Sequence, residues 1–86
     1  MNKIIIYSKD ICPFCVKAKE FFQIKGLSYK EINISSSIEL QQEMLEKSNG
    51  RKTVPQIFIN GNNIGGYDDL ISADQSGELK DHLNES

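Results

Sequence analysis

Apolar residues recur along this chain in short runs whose spacing switches between strand-like and helix-like. Lys3 to Tyr7 carries three consecutive isoleucines, a β-branched run of the length expected for a buried strand. Cys12 closes the loop that follows. Pro13 stands where the first residue of a helix belongs, because proline there gives up only an N–H that has no partner. Ala18, Phe21, Phe22 and Lys25 trace one helical face whose first three members are apolar, and Gly26 is a natural stop. From Leu27 to Ile34 apolar and polar positions alternate, with Glu31 as an interruption, which predicts a second strand.

Ser35 to Ser37 offer N-caps for a helix reaching about Ser48, with Ile38, Met44 and Leu45 as its buried members and Asn49-Gly50 as its end. Gln56 to Asn60 reads as a third strand, Gly61-Asn62-Asn63 as a tight turn, and Ile64 as part of a short fourth strand. After Gly65-Gly66 a helical stretch begins near Asp68-Asp69 and carries Leu70, Ile71, Ala73, Leu79 and Leu83, with Asp74 to Gly77 as a candidate break. The order is β-α-β-α-β-β-α. It predicts a first crossover that is parallel, a later hairpin that is antiparallel, and an α/β fold with a four-stranded mixed sheet flanked by helices on both faces.

Composition narrows this picture. The 86 residues, 38% of them hydrophobic, suffice for one domain over 1–86 with one modest core. Ten Lys and Arg against twelve Asp and Glu leave a net charge of −2, which lacks the clustered basic excess of a nucleic-acid binder. No apolar run approaches the roughly 18 residues that cross a bilayer, so no membrane partner is expected. Ile4-Ile5-Ile6 is also far shorter than the apolar region of a secretory signal, and a cytoplasmic location is expected.

The two cysteines of the chain lie three positions apart, in Cys12-Pro13-Phe14-Cys15. A thiol attacks a disulfide only as the thiolate. Cys12 falls at a predicted helix start, where unpaired N–H groups and the helix dipole favour negative charge, and Lys9 three residues earlier adds a cation. Cys15, one turn further in, is more sheltered. The spacing therefore separates an exposed attacker from a sheltered resolver. A metal site would want about four ligands, whereas the chain offers two cysteines and a distant His82 near a C-terminus expected to fray, so no metal is expected. A structural disulfide would close too small a loop to restrain the unfolded chain much.

Three segments in order resemble one family: Ile6-Tyr7-Ser8-Lys9 before the Cys-Pro-Phe-Cys site, Thr53-Val54-Pro55-Gln56-Ile57-Phe58-Ile59, and Ile64-Gly65-Gly66-Tyr67-Asp68-Asp69-Leu70. Together they are similar to the dithiol glutaredoxins of bacteria, with Phe14 where the family usually has tyrosine. The resemblance implies a thioredoxin fold and a redox disulfide between Cys12 and Cys15. It also implies reduction of glutathione mixed disulfides and protein disulfides, with glutathione as reductant and co-substrate.

By the same resemblance, Thr53-Val54-Pro55 faces the active-site helix with a cis Val54–Pro55 peptide, leaving the Val54 backbone open to an extended peptide such as glutathione. The plain alternative is a strand that starts after a proline. Gly66, Tyr67 and Asp68 would lie beside the γ-glutamyl end, whose ammonium suits an acid and whose carboxylate suits N–H groups at a helix start. As structure alone, Asp68 or Asp69 caps that helix. For the glycine carboxylate, Lys9 is the first choice and Arg51 or Lys52 the second, against a reading of Arg51-Lys52 as a solvated pair. Phe14, Val54 and Tyr67 would shield the sulfur exchange from water.

The resemblance also offers a glutathione-ligated iron–sulfur carrier, although Pro13 departs from the small residue that such relatives have after the first cysteine. A third reading, an electron donor served directly by thioredoxin reductase, is disfavoured by the Gly-Gly-Tyr-Asp-Asp segment. Glutathionylated and disulfide-containing proteins, ribonucleotide reductase among them by family, are the expected partners, and a monomer is the expected state.

Overall fold

The structure, a computed structural model, describes residues 2–83. Its elements run β1 (Ile4–Ser8), α1 (Pro13–Ile24), β2 (Lys30–Asn33), α2 (Ile38–Lys47), β3 (Gln56–Ile59), β4 (Asn62–Gly65), α3 (Tyr67–Ser76) and α4 (Glu78–Leu83). The strands form one sheet in the order β2-β1-β3-β4. β2 is parallel to β1, as a strand that returns through a helix must be, while β3 is antiparallel to β1 and β4 to β3. This is the four-stranded mixed sheet expected from the order of elements, and the arrangement that the resemblance to a thioredoxin fold implies.

The pleat of the sheet explains the unbroken isoleucine run. Ile4 and Ile6, with Ile57 and Ile59 of β3, face Ala18 and Phe22 of α1, Leu70 and Ala73 of α3, and Leu79 of α4. Tyr7 and Phe58 face the other way, toward Ile34 and Met44. Both faces of β1 are covered, so alternation is lost. The β2 region shows the same two-sided logic. Leu27 and Tyr29 pack with the first cluster and Ile32 with the second, so Glu31 marks a change of face rather than a break. The strand itself is shorter than the alternation suggested.

Glu31 lies on the α1 side and is fully employed there. The buried Ser8 hydroxyl donates to its carboxylate at 2.6 Å, and Lys19 Nζ lies 3.0 Å away. The Ser8 hydrogen bond above all, with help from Lys19, holds the Glu31 carboxyl below its ordinary range against the opposing effect of burial. Because the folded-state pKa is depressed, this contribution to stability is present above the unfolded value of about 4.3 and is lost as pH falls through the lower folded value. Urea titrations between neutral pH and pH 3 are therefore expected to show a steeper acid loss of stability in the native chain than in Glu31→Gln. Parallel curves would remove Glu31 from the acid response.

Several sequence expectations are corrected. Ile38 is not buried but 80% exposed. Ser37 caps α2 by accepting the Leu40 N–H at 3.1 Å, and the inward face then runs through Leu40, Met44 and Ser48, one turn apart, which leaves Ile38 turned out. The tight turn is Asn60-Gly61, with φ of 52° and 88°, so Asn62 and Asn63 belong to β4. Two positive φ values are what a two-residue hairpin turn requires, and Asn-Gly supplies them. The final helical stretch does break within the expected Asp74–Gly77 segment, at Gly77 with φ 89°, while Asp74 to Ser76 are still helical. His82 lies within α4, its carbonyl accepting Asn60 Nδ2 at 2.8 Å.

Candidate active site

The loop between β1 and α1 is pinned before it reaches the cysteines. Asp10 N–H donates to Ser35 Oγ at 2.7 Å, and Asp10 Oδ1 accepts from Asn33 Nδ2 at 2.8 Å. Ile11 then takes φ 49° with a fully exposed side chain. A β-branched residue in that region costs about 1–3 kcal/mol. The turn delivers Cys12 to the N-cap of α1 in an extended conformation (φ −140°, ψ 96°), with Pro13 next. The Cys12 sulfur accepts the Cys15 N–H at 3.3 Å, and Val16 N–H donates to the Cys12 carbonyl at 3.1 Å. No acidic residue occupies the first turn of α1, so nothing there opposes negative charge on that sulfur.

Cys12 and Cys15 are joined as a disulfide, with Cα atoms 5.2 Å apart. Cys15 is buried while Cys12 is half-buried, which is the asymmetry expected from their spacing. The Val54–Pro55 peptide is cis, and Val54 precedes the ladder of β3, which starts at Gln56. The Val54 carbonyl oxygen lies 4.0 Å from Cys12 Sγ.

Beside this contact runs a groove of about 480 Å³. One wall is Arg51, Lys52, Thr53, Val54, Pro55 and Gln56; the other is Phe14, Gly66, Tyr67, Asp68 and Asp69. It gathers all the expected glutathione contacts except Lys9. That lysine instead lines an adjoining cavity of about 220 Å³ with Ile34, Gln41, Met44, Leu45 and Lys52, so Lys52 borders both. The two aspartates differ in their contacts. Asp69 Oδ2 accepts the Gly66 N–H at 2.9 Å, which caps α3, and lies 3.9 Å from Arg51 Nη1. Asp68 is exposed at the groove and makes no ion pair among the described residues.

Two contributors were not anticipated. Gln56, buried, donates through Nε2 to the Thr53 carbonyl at 3.0 Å and to Thr53 Oγ1 at 3.2 Å, and so shapes the loop that carries the cis peptide. The one sign of it in the sequence is a glutamine opening an apolar strand. Lys17 lies over the rings of Phe14 and Tyr67, 5.3 and 6.0 Å from their centroids, which are themselves 6.1 Å apart. The i,i+3 spacing of Phe14 and Lys17 placed them on one helix face, but nothing in the sequence linked either to Tyr67.

Comparison with known proteins bears directly on this arrangement. Residues 4–64 match the family model for glutaredoxin. The chain is 44% identical over 79 residues to glutaredoxin 3 of Escherichia coli, covering 92% of this chain and 94% of that protein. It is 41% identical to glutaredoxin-C6 of Oryza sativa over 86 residues, 96% of this chain and 76% of the rice protein. Among solved structures, a buckwheat glutaredoxin–glutathione complex superposes with a TM-score of 0.83 at 30% identity, over 95% of this chain and 76% of that one. A wheat glutaredoxin does so with 0.82 at 41% identity, over 96% and 80%. Similarity of this extent, in sequence and in backbone alike, means that the chain belongs to the glutaredoxin family of thiol–disulfide oxidoreductases.

Proposed function

We propose that this glutaredoxin reduces glutathione mixed disulfides and protein disulfides, with Cys12 as nucleophile, Cys15 as resolving thiol and glutathione as co-substrate. The observation that carries the reading is the position of the Cys12 sulfur. It caps α1, takes an N–H of the first turn, and stands beside the Val54 carbonyl at the groove. A thiolate there gains from the N–H and from the helix dipole what an ordinary surface thiolate lacks.

With a glutathionylated substrate, the Cys12 thiolate attacks the glutathione sulfur. A Cys12–glutathione disulfide forms, and the substrate leaves as its thiolate. A second glutathione thiolate then attacks the bound glutathione sulfur, which releases Cys12 and forms oxidised glutathione. With a protein disulfide, Cys12 forms the mixed disulfide with one client sulfur. Cys15 then attacks the Cys12 sulfur, frees the client's second thiol and leaves the Cys12–Cys15 disulfide, which two glutathiones reduce. Substrate, glutathione and disulfide electrons balance in both routes.

The groove suits one glutathione. The Val54 backbone edge offers main-chain pairing to an extended tripeptide. Asp68 complements the γ-glutamyl ammonium, and N–H groups at the start of α3 complement its carboxylate. Lys52 and Arg51 are the cations that border the groove for the glycine carboxylate, while Lys9 borders the neighbouring cavity. Phe14, Val54 and Tyr67 exclude water from the exchange. The glutathione pool that drives such a cycle is that of a reducing compartment, which for this chain is the cytoplasm. Treating the reduced Cys15→Ser variant with oxidised glutathione is expected to add one glutathione, located on Cys12 by peptide mass spectrometry. An unmodified Cys12 under conditions that modify free glutathione-reactive thiols would overturn the assignment.

A further inference from the structure

We infer that the α2 face of the sheet carries a second binding site, remote from the cysteines, for a small amphipathic anion: an aromatic or medium-chain carboxylate or sulfonate. β1 enters the sheet at Ile4 and delivers the chain to the active-site loop after Ser8, so Ile5 lies at the end away from Cys12. Phe58 is its antiparallel partner on β3 and Lys30 its parallel partner on β2. α2 sets Leu40 and Met44 against this face near Tyr7 and Ile34, then ends at Lys47. Beyond its coverage a cavity of about 510 Å³ remains over Ile5, Tyr7 and Phe58, edged by Lys3, Lys47, Asn60 and Gly61. That volume falls within the roughly 300–1,000 Å³ typical of small-molecule sites.

The lining selects the ligand. Its floor is aliphatic and aromatic, with the Tyr7 and Phe58 rings edge-to-face at 5.6 Å. Lys3 and Lys47 stand at its edge, and Lys30 lies on the same side of β2 as Ile32, next to Ile5. Among the described residues, no carboxylate lines the cavity. The acid nearest Lys47, Glu43, is already engaged, accepting the Tyr7 hydroxyl at 2.5 Å and lying 3.8 Å from Lys47 Nζ.

The Asn60 amide is likewise spent. Oδ1 accepts the Lys3 N–H, and Nδ2 donates to Asn2 Oδ1 and to the His82 carbonyl. What the site has left to offer a ligand is ring surface and ammonium groups. A neutral hydrogen-bonding ligand gains little from that pair, whereas an apolar body with an anionic end gains from both. Lys3 and Lys47 at the edge of one apolar floor, the second of them shared with Glu43, set cationic groups beside apolar surface in a chain whose net charge is −2.

The test uses the intact oxidised chain and 8-anilinonaphthalene-1-sulfonate, with N-phenyl-1-naphthylamine as its uncharged counterpart. The sulfonate is expected to bind at one saturable site, with amide shifts at Ile5, Phe58, Asn60 and Gly61 and none at Val54 or Tyr67. The uncharged probe, and the sulfonate with the exposed-lysine double variant Lys3→Gln/Lys47→Gln, are expected to bind about tenfold more weakly or worse, about 1.4 kcal/mol. Turnover of a glutathionylated substrate is expected to be the same in that variant, so failure here leaves the redox assignment untouched and failure there leaves this one untouched. Equal affinity for both probes, equal affinity in the variant, shifts at the active-site groove, or fluorescence without localised shifts would each overturn the inference. So would concentration-dependent self-association through this face, which would make a second copy its occupant.

Discussion

Cys12→Ser is expected to bring turnover of a small glutathione mixed disulfide down to the rate of glutathione alone, a loss of about a thousandfold or more, while Cys15→Ser keeps most of it. The asymmetry follows from where the two sulfurs stand. Cys12 is the N-cap of α1 and meets the groove at Val54, whereas Cys15 is 1% exposed. A serine at position 12 caps the helix as well as cysteine does, so the variant folds and loses only its nucleophile. In the mixed-disulfide route the resolving sulfur comes from a second glutathione, and Cys15 has no step to perform.

Protein disulfides reverse the expectation for Cys15→Ser. The mixed disulfide with a client must then await an external thiol, so turnover falls and the trapped intermediate accumulates, visible as a client adduct on a non-reducing gel. Both substrates run in one glutathione-coupled assay, and the ratio of the two losses is the informative number. Equal loss from both variants on the small substrate would mean that attack and resolution are not divided between the sulfurs as their burial suggests.

How much of this the sequence discloses depends on the range of the interaction that decides each feature. Pro13 after Cys12 and Gly26 after the helical face are local signals, and α1 begins and ends where they put it. Ile38 misleads because local apolarity does not choose a helix's inward face. That face is set by which residues meet Tyr7 and Ile34, and Leu40 and Met44 do. Glu31 looks out of place in a strand until Ser8 and Lys19, contributed by two other elements, are seen around it.

The site divides along the same line. The cysteine pair and the Thr-Val-Pro and Gly-Gly-Tyr-Asp-Asp segments are contiguous, so they were legible. Two features were not: the placing of Lys9 away from the groove and the seat of Lys17 over the Tyr67 ring. Each is settled by distances between elements far apart in the chain, whereas the choice of Asp69 over Asp68 as the cap of α3 rests on a contact only three residues long. Ile11 is the extreme case. Its positive φ contradicts its own residue type, and only the pinned loop on one side and the helix start on the other account for it.

The second large effect concerns the turn that forms one wall of the groove. Gly65→Ala is expected to destabilise the protein by about 2–4 kcal/mol, while Gly66→Ala, its neighbour, costs about 1 kcal/mol or less. Gly65 has φ 111°, a region that alanine rarely adopts. A Cβ there would also come within 2.6 Å of Arg51 Nη1 and 2.8 Å of Asp69 Cγ. Asp69 cannot simply swing aside, because it holds the Gly66 N–H and lies beside Arg51, so its displacement uncaps α3. At Gly66 the backbone φ is −90° and a Cβ would meet the Pro55 carbonyl oxygen at 3.6 Å, an ordinary contact.

Urea midpoints for the two alanine variants measure the contrast, and equal midpoints would deny any special role to the Gly65 conformation. Adding Asp69→Ala separates the two causes. It removes the Asp69 part of the clash but neither the Arg51 contact nor the backbone strain, so if crowding by Asp69 matters, Gly65→Ala costs less in the Asp69→Ala background than in the native one. Strict additivity would assign the cost to φ and to Arg51. Either way the Arg51–Asp69 contact spans the two walls of the groove, so Gly65→Ala is also expected to raise KM for the glutathione substrate more than it lowers kcat.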